Sequence, residues 1–419
     1  MRSSPNPEII AAPWFSRAST RRLIKVLETA GHQVRFVGGS VRDALIGRFP
    51  PKPDVDLATT ADPAQVISCL HEAGIKALPT GVAHGTVTAI VDQDPFEITT
   101  LREDVATDGR HAAVRFTIDF ERDAARRDFT FNALSVDAEG HLFDPFQGHR
   151  DLLDGRVRFV GPPDIRIAED YLRILRLFRF HAYFGKLRPA PDALAACAAA
   201  AGKLETLSGE RVAQEMLKLL RAPSPQPSLD LMVETGVAAQ AFAGLQTLPN
   251  LNPVLEVERQ PDPLLRLAFL VRSAPGPLDR ARRLSSRWRL SNREADRLER
   301  LVDGWRQLPQ DEKNAASQAM ALGEQQSLLV LVYRLGLTLA ADLMRLEAGR
   351  RPAPLIRARI GALEDLTIPP FPLTGDDLLT QGFEPGPGLG EALAKTEAWW
   401  LSQSGKPDRD ACLAFAQKQ

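Results

Sequence analysis

The pattern of apolar and polar positions divides the chain into a mixed first part and a helical remainder. Apolar side chains at helical spacing predict an amphipathic helix over residues 15–30, and the short run 34–37 predicts a buried strand. Thr60-Ala61-Asp62-Pro63 is a helix start, with proline near the first turn where its missing N–H costs nothing, so a helix is expected to about Ala73. Residues 87–91 and 96–101 are β-branched runs separated by Asp92-Gln93-Asp94-Pro95, a hairpin signal. Residues 102–115 mix charges with Gly109 and have no period, which reads as a mobile loop. A further strand is expected over 157–160. From Glu169 to Phe180 polar groups recur every third residue while leucines and phenylalanines face a core, and a second helix, 210–220, follows Ser208. Beyond Pro223 the chain reads as helices, prolines and short loops without alternating strands. These elements predict an α+β head with a small mixed sheet over residues 1–160, a helical neck over 161–222 and an all-α body and tail over 223–419.

Composition narrows this picture. A chain of 419 residues is long enough for two or three domains, and a net charge of −1 means that any surface for nucleic acid must be a local patch. The three cysteines, Cys69, Cys197 and Cys412, are far apart and lack metal-ligand spacing, so a reducing, cytoplasmic setting is expected. The arginine- and serine-containing start also fits an organellar transit peptide. No apolar run is long enough to span a membrane, and no protein partner is indicated. All seven histidines precede residue 182, so the helical half carries no histidine-based metal-hydrolase domain.

Two stretches carry the candidate chemistry. Phe36-Val37-Gly38-Gly39-Ser40-Val41-Arg42-Asp43 places a glycine turn between a strand and a helix, and Ser40 with Asp43 reads as a capping box. The unpaired N–H groups of such a helix start, with Arg42 in its first turn, suit phosphate, although a Gly-Gly-Ser is more often only a turn. Pro53-Asp54-Val55-Asp56-Leu57 alternates acidic and apolar residues, so Asp54 and Asp56 share one face of a strand and suit Mg2+; a solvated loop is the plainer reading of an isolated diacid. Pairing of strand 96–101 beside this segment would bring Glu97 to the two aspartates. Arg127 and Asn132 lie in the polar and apolar run 125–134, where an arginine pair is more often a surface ion-pair donor. Asp170, Arg173, Arg176 and Arg179 form a slowly winding stripe whose common meaning is a solvated helix face.

Taken together, these segments resemble the head and neck of the class II tRNA nucleotidyltransferases and bacterial poly(A) polymerases, members of the polymerase-beta-like nucleotidyltransferase superfamily. The match is dense over residues 35–184 and thin afterwards. The resemblance implies a catalytic set of Asp54, Asp56 and Glu97, with Mg2+ on the two aspartates and a second ion at the leaving phosphates. It implies nucleotide contacts from Gly38, Gly39, Arg42, Arg127, Asn132, Asp170, Arg173, Arg176 and Arg179, with the stripe recognising the base. It further implies CCA addition to tRNA from CTP and ATP, with the loop 102–115 assisting the change from C to A. A poly(A) polymerase, a CC-only or A-only enzyme and a catalytically silent RNA-binding protein are the alternatives. A dinucleotide-binding dehydrogenase is excluded, because G-x-G-x-x-G and alternating βαβ units are missing. The arginine-rich stretches 280–300 and 345–359, and the glycine-containing segments 373–378 and 385–390, are candidates for RNA contact or for solvated faces and turns.

Overall fold

The structure, a computed structural model, describes residues 4–107, 112–308 and 324–418. Residues 108–111, including Gly109, lie outside the described residues. Two compact units divide at Thr247/Leu248.

The first unit is built on a mixed sheet in the order β3-β4-β5-β2-β1-β8-β9. Its strands are β1 (Val34–Val37), β2 (Asp56–Thr59), β3 (Lys76–Gly81), β4 (Thr86–Val91), β5 (Asp94–Thr100), β8 (Ser135–Val136) and β9 (Leu142–Phe143). A separate antiparallel pair comprises β6 (Arg102–Thr107) and β7 (Ala112–Phe116). The expected hairpin closes between β4 and β5 through Asp92 and Gln93, both at positive φ, a twist that suits a two-residue connection. Strand β2 pairs with β5 in parallel and with β1 antiparallel. Its inner residues Leu57, Ala58 and Thr59 are buried and its first residue, Asp56, sits at the open end.

Several expectations are corrected. The first helix is interrupted: α1 (Pro7–Ile10) and α2 (Pro13–Ser16) precede α3 (Ala18–Thr29), with Arg17 extended between the last two. The glycine turn leads into α4 (Gly39–Ala44), whose N-cap is Gly38, so Ser40 lies inside the helix and forms no capping box. Its hydroxyl points back at the Val37 carbonyl, and Asp43 is taken by Arg42. Helix α5 (Pro63–Glu72) starts as expected, with Asp62 and Gln65 forming a capping box. The described parts of the expected loop, 102–107 and 112–115, are strands rather than irregular chain. They pair Arg102 with Phe116 and Glu103 with Arg115; Glu103 forms an ion pair across the strands with Arg115 and a second, at 3.2 Å, with Arg122 on the helix that follows, contacts that leave no hydrophobic period. Residues 157–160 form only an isolated bridge, Phe159 with Phe129.

Helices α6 (Phe120–Ala125), α7 (Gly148–Asp154), α8 (Pro163–Glu169) and α9 (Leu172–Phe184) follow. The neck is thus two helices rather than one, because Asp170 is extended (φ −155°, ψ 108°) and breaks the run. Asp170 therefore does not stand at i, i+3 from Arg173 on a continuous helix. After α10 (Pro191–Ala200), helix α11 (Gly209–Arg221) packs along α9, closing Leu175, Phe178, Met216 and Leu219 into the core.

From Leu248 onward the described residues form helices with no ladder of strands. Trp288, in the arginine-rich stretch, is wholly buried, and Arg297 is paired with Asp262 and with Asp342 at 2.9 Å. Arg345 pairs with Asp342 at 2.8 Å and Arg351 with Glu347 at 3.2 Å. Arg297 therefore ties separate helices of this unit together, and Arg345 and Arg351 are engaged by local acids. Thr374 caps the helix Gly375–Thr380 in a reciprocal box with Asp377. No helix among the described residues is long and apolar enough to cross a membrane.

Candidate active site

Antiparallel pairing sets Val37, just before the glycine turn, opposite Asp56, and parallel pairing sets Asp56 beside Glu97. The turn and two of the expected acids thus meet at one end of three neighbouring strands. Gly38 has φ +79°, and a Cβ placed there would lie 2.9 Å from Asp56 Oδ2. Both the backbone and the carboxylate therefore require glycine at 38. Asp54 precedes β2 and is exposed, as is Glu97, while Asp56 is half-buried. Burial, reinforced by the negative charges of Glu97 and Asp54 and only partly offset by Arg127, pushes the Asp56 carboxyl up to about 6. Like charges gathered on rigid strands, with no ion pair to any of the three among the described residues, fit a bound cation. The tightest trio of candidate metal ligands lies elsewhere, at Asp137, Glu139 and His141, but Asp137 there closes a turn, accepting the N–H groups of Glu139 and His141 and bonding the His141 ring.

Gly38 and Gly39 also form one wall of a cavity of about 390 Å3. Its other lining residues include Arg42, Arg126, Arg127, Asp128, Asn132, Asp170, Arg173, Arg176, Phe180 and Arg211. Six arginines and two aspartates line it, and the guanidinium donors suit a phosphate-bearing ligand. Arg42 lies over the Phe184 ring at 4.7 Å and is fixed by Asp43 and by Asn132 Oδ1, each at 2.9 Å. Asn132 in turn donates to Asp128 at 2.9 Å, and Asp128 accepts from Arg176 Nε at 2.6 Å. Asp128 is buried; that burial alone would raise its carboxyl, but Arg176 and the hydrogen bonds outweigh it and hold it below its ordinary value.

The structure places the neck residues unequally. Asp170 caps α9 through the Leu172 N–H at 3.1 Å and binds Arg211 at 2.7 Å. Arg173 spans Glu169, the Arg166 carbonyl at 2.9 Å and the Arg126 carbonyl at 3.1 Å. Arg179 is absent from the cavity lining: it pairs with buried Glu215 on α11 and stacks on Phe180 at 3.9 Å. The stripe is neither a solvated face nor a run of free cations, since each arginine has a carboxylate. Arg211 escaped notice in the sequence, because only the packing of α11 on α9 brings it to Asp170. Asp128 and Arg126 carry no local signal beyond their place next to Arg127.

Acids on the central strands of a mixed sheet, joined through a glycine turn to an arginine-lined cavity, define a nucleotidyltransferase. A family model described as the Poly A polymerase head domain matches residues 34–158, and one described as the probable RNA and SrmB-binding site of polymerase A matches residues 186–248. The mitochondrial CCA tRNA nucleotidyltransferase 1 of Mus musculus is 33% identical over 414 residues, 95% of this chain and 89% of its own. The CCA-adding enzyme of Latilactobacillus sakei is 31% identical over 395 residues, 92% of this chain and 94% of its own. The crystal structure of the Bacillus stearothermophilus CCA-adding enzyme in complex with CTP superposes with a TM-score of 0.70 at 26% identity, covering 97% of each chain. This chain belongs to the family of CCA-adding tRNA nucleotidyltransferases.

Proposed function

We infer that the enzyme adds C, C and A to the 3′ end of tRNA, using CTP and ATP. The observation that carries the reading is the junction at Gly38, where the acidic strand ends and the arginine-lined cavity share one residue. In this reading Arg42 and Arg127 hold the triphosphate, and Asn132 keeps Arg42 turned toward it. Little covalent chemistry is asked of the protein, since phosphoryl transfer rests on alignment and charge neutralisation. The RNA 3′-hydroxyl attacks the α-phosphate at the acidic edge and pyrophosphate leaves into the arginine cavity. Asp54 and Asp56 would hold Mg2+, which suits hard oxygen ligands that leave positions open to phosphates and water. Bound there, the ion supplies Lewis-acid activation of the hydroxyl and neutralises phosphate charge. Glu97 completes the acidic set.

The choice of base falls to Asp170 and Arg173 on the cavity wall. Cytosine and adenine each offer an amino donor beside a ring acceptor, which a carboxylate and a guanidinium complement. Uracil and guanine reverse this order. Asp170 Oδ2 is already engaged by Arg211, but each carboxylate oxygen has a second lone pair for the base. The head, neck and tail divide the work as catalysis, base choice and grip on tRNA, at 1–160, 161–222 and 223–419. A reducing, cytoplasmic setting is the reading for the three free thiols.

The test is incubation of purified protein with tRNA transcripts lacking A, CA or CCA, with product length read to the nucleotide. Completion of each to CCA and arrest there is expected. Run-on into an A tract, a stop after CC, or no incorporation would replace this reading.

A further inference from the structure

Asp123, on α6, does not line the cavity, is 3% exposed, and holds two of the six arginines that do, Arg126 and Arg127. Its Oδ1 accepts from Arg126 Nε at 2.9 Å and Nη2 at 2.7 Å, and its Oδ2 accepts from Arg127 Nη2 at 3.1 Å. Burial acts to raise this carboxyl, but Arg127 and Arg126 outweigh it and hold it below its ordinary value, so it is ionised as it binds them. A fourth contact ties it to the sheet: the backbone N–H of Arg102 donates to Oδ1 at 3.3 Å. Arg102 follows Leu101, whose own N–H is bonded to the Thr59 carbonyl at the end of β2 at 2.9 Å. The carboxylate is therefore referenced to β2 and β5, the two strands that carry Asp56 and Glu97.

We propose that Asp123 is a positioning residue for nucleotidyl transfer: it registers Arg126 and Arg127 to the acid-bearing strands, so that a triphosphate held by the arginines presents its α-phosphate at the acidic edge. A guanidinium on a free stem still attracts phosphate, but its several rotamers fix no direction. Loss of Asp123 therefore acts on alignment more than on affinity. The proposal rests on the reading of the cavity as the nucleotide site.

The experiment is single-turnover incorporation of CTP on a tRNA lacking CCA, with saturating enzyme and a range of CTP concentrations. In Asp123→Asn the maximal rate is expected to fall about tenfold or more while half-saturation stays within about threefold, the signature of an interaction felt in the transition state. A purely structural role would lower the folded fraction, read by circular dichroism and urea unfolding, and leave the maximal rate at saturating enzyme unchanged. That outcome, or a wild-type rate, overturns the proposal, as does a loss confined to half-saturation. Asp123→Glu keeps the charge and is expected to give an intermediate rate; a Glu variant as slow as Asn places the requirement in shape rather than charge and also overturns it. Arg127→Ala separates the two levels: if it leaves half-saturation unchanged, the cavity is not the triphosphate site.

Discussion

The acidic edge and the neck arginines treat charge in opposite ways. At Asp54, Asp56 and Glu97 like charges converge, and the strain is visible in Asp56, whose carboxyl is pushed up to about 6. Along the neck four arginines each have an acid: Arg173 has Glu169, Arg176 has Asp128, Arg179 has Glu215 and Arg211 has Asp170. The first arrangement stores repulsion that a bound cation relieves. The second is neutralised in advance by partners that hold each guanidinium in one direction, the arrangement that electrostatic preorganisation requires.

Breaking the acidic side has the largest expected effect. Asp54→Ala or Asp56→Ala should cut incorporation of any nucleotide by at least ~1,000-fold, a barrier increase of about 4 kcal/mol, with tRNA affinity nearly intact. Turnover within about tenfold of wild type would show that metal is held elsewhere. On the other side, Glu215→Gln leaves Arg176 and Arg179 with less compensating charge in a buried place, and should destabilise the fold by about 3 kcal/mol in urea unfolding. An unchanged midpoint would mean that the pairing is cosmetic.

A smaller effect concerns the one neck acid at the cavity wall. Asp170→Ala or Arg173→Ala should lower the preference for CTP and ATP over UTP and GTP by roughly tenfold, from unpaired polar groups worth ~1–3 kcal/mol each. Single-turnover rates with all four nucleotides measure it, and wild-type ratios in both would move base choice away from this pair.

The smallest effect sharpens the contrast most. Because the folded Asp56 carboxyl titrates above its unfolded value of 3.8, the folded state binds more protons between about 4 and 6, so Asp56 costs stability as pH rises through that window. In metal-free protein at pH 7, Asp56→Asn should therefore unfold at higher temperature, by on the order of 1–2 kcal/mol. Added Mg2+ should raise the wild-type midpoint and leave the variant's unchanged, by linkage of binding to folding. A variant less stable than wild type without metal would remove the stored repulsion.

Local chemistry made much of this enzyme legible in the chain. Strand β1, the glycine turn, the diacid and the β4–β5 hairpin are short-range patterns of alternation and turn residues, and the all-helical second half follows from periodicity. Resemblance joined Asp54, Asp56 and Glu97, and the parallel pairing of β2 with β5 sets Asp56 beside Glu97, with Asp54 two residues before the strand. Other features were legible only as possibilities. Ser40 looked like a cap, yet the helix starts at Gly39, because a glycine at positive φ turns the chain one residue earlier than a hydroxyl can cap it. The strand pair β6–β7 carries an ion pair from Glu103 to Arg115 across the strands and another to Arg122 on α6, and such pairs leave no period for a reader to find.

What the sequence by itself determined, then, is part of the set of elements, among them strand β1, helix α5, the β4–β5 hairpin and the helical second half, together with the glycine turn and the diacid, since helical and strand periods, turn glycines and paired acids act over a few residues. Tertiary structure alone decided how charge is apportioned. The break at Asp170, the approach of Arg211 from α11, the removal of Arg179 to Glu215 and the seating of Arg126 and Arg127 on Asp123 depend on which helix packs on which. An arginine stripe carries no mark of which guanidinium will face a substrate and which a buried acid, because that choice is made by partners as distant as 36 and 41 residues along the chain.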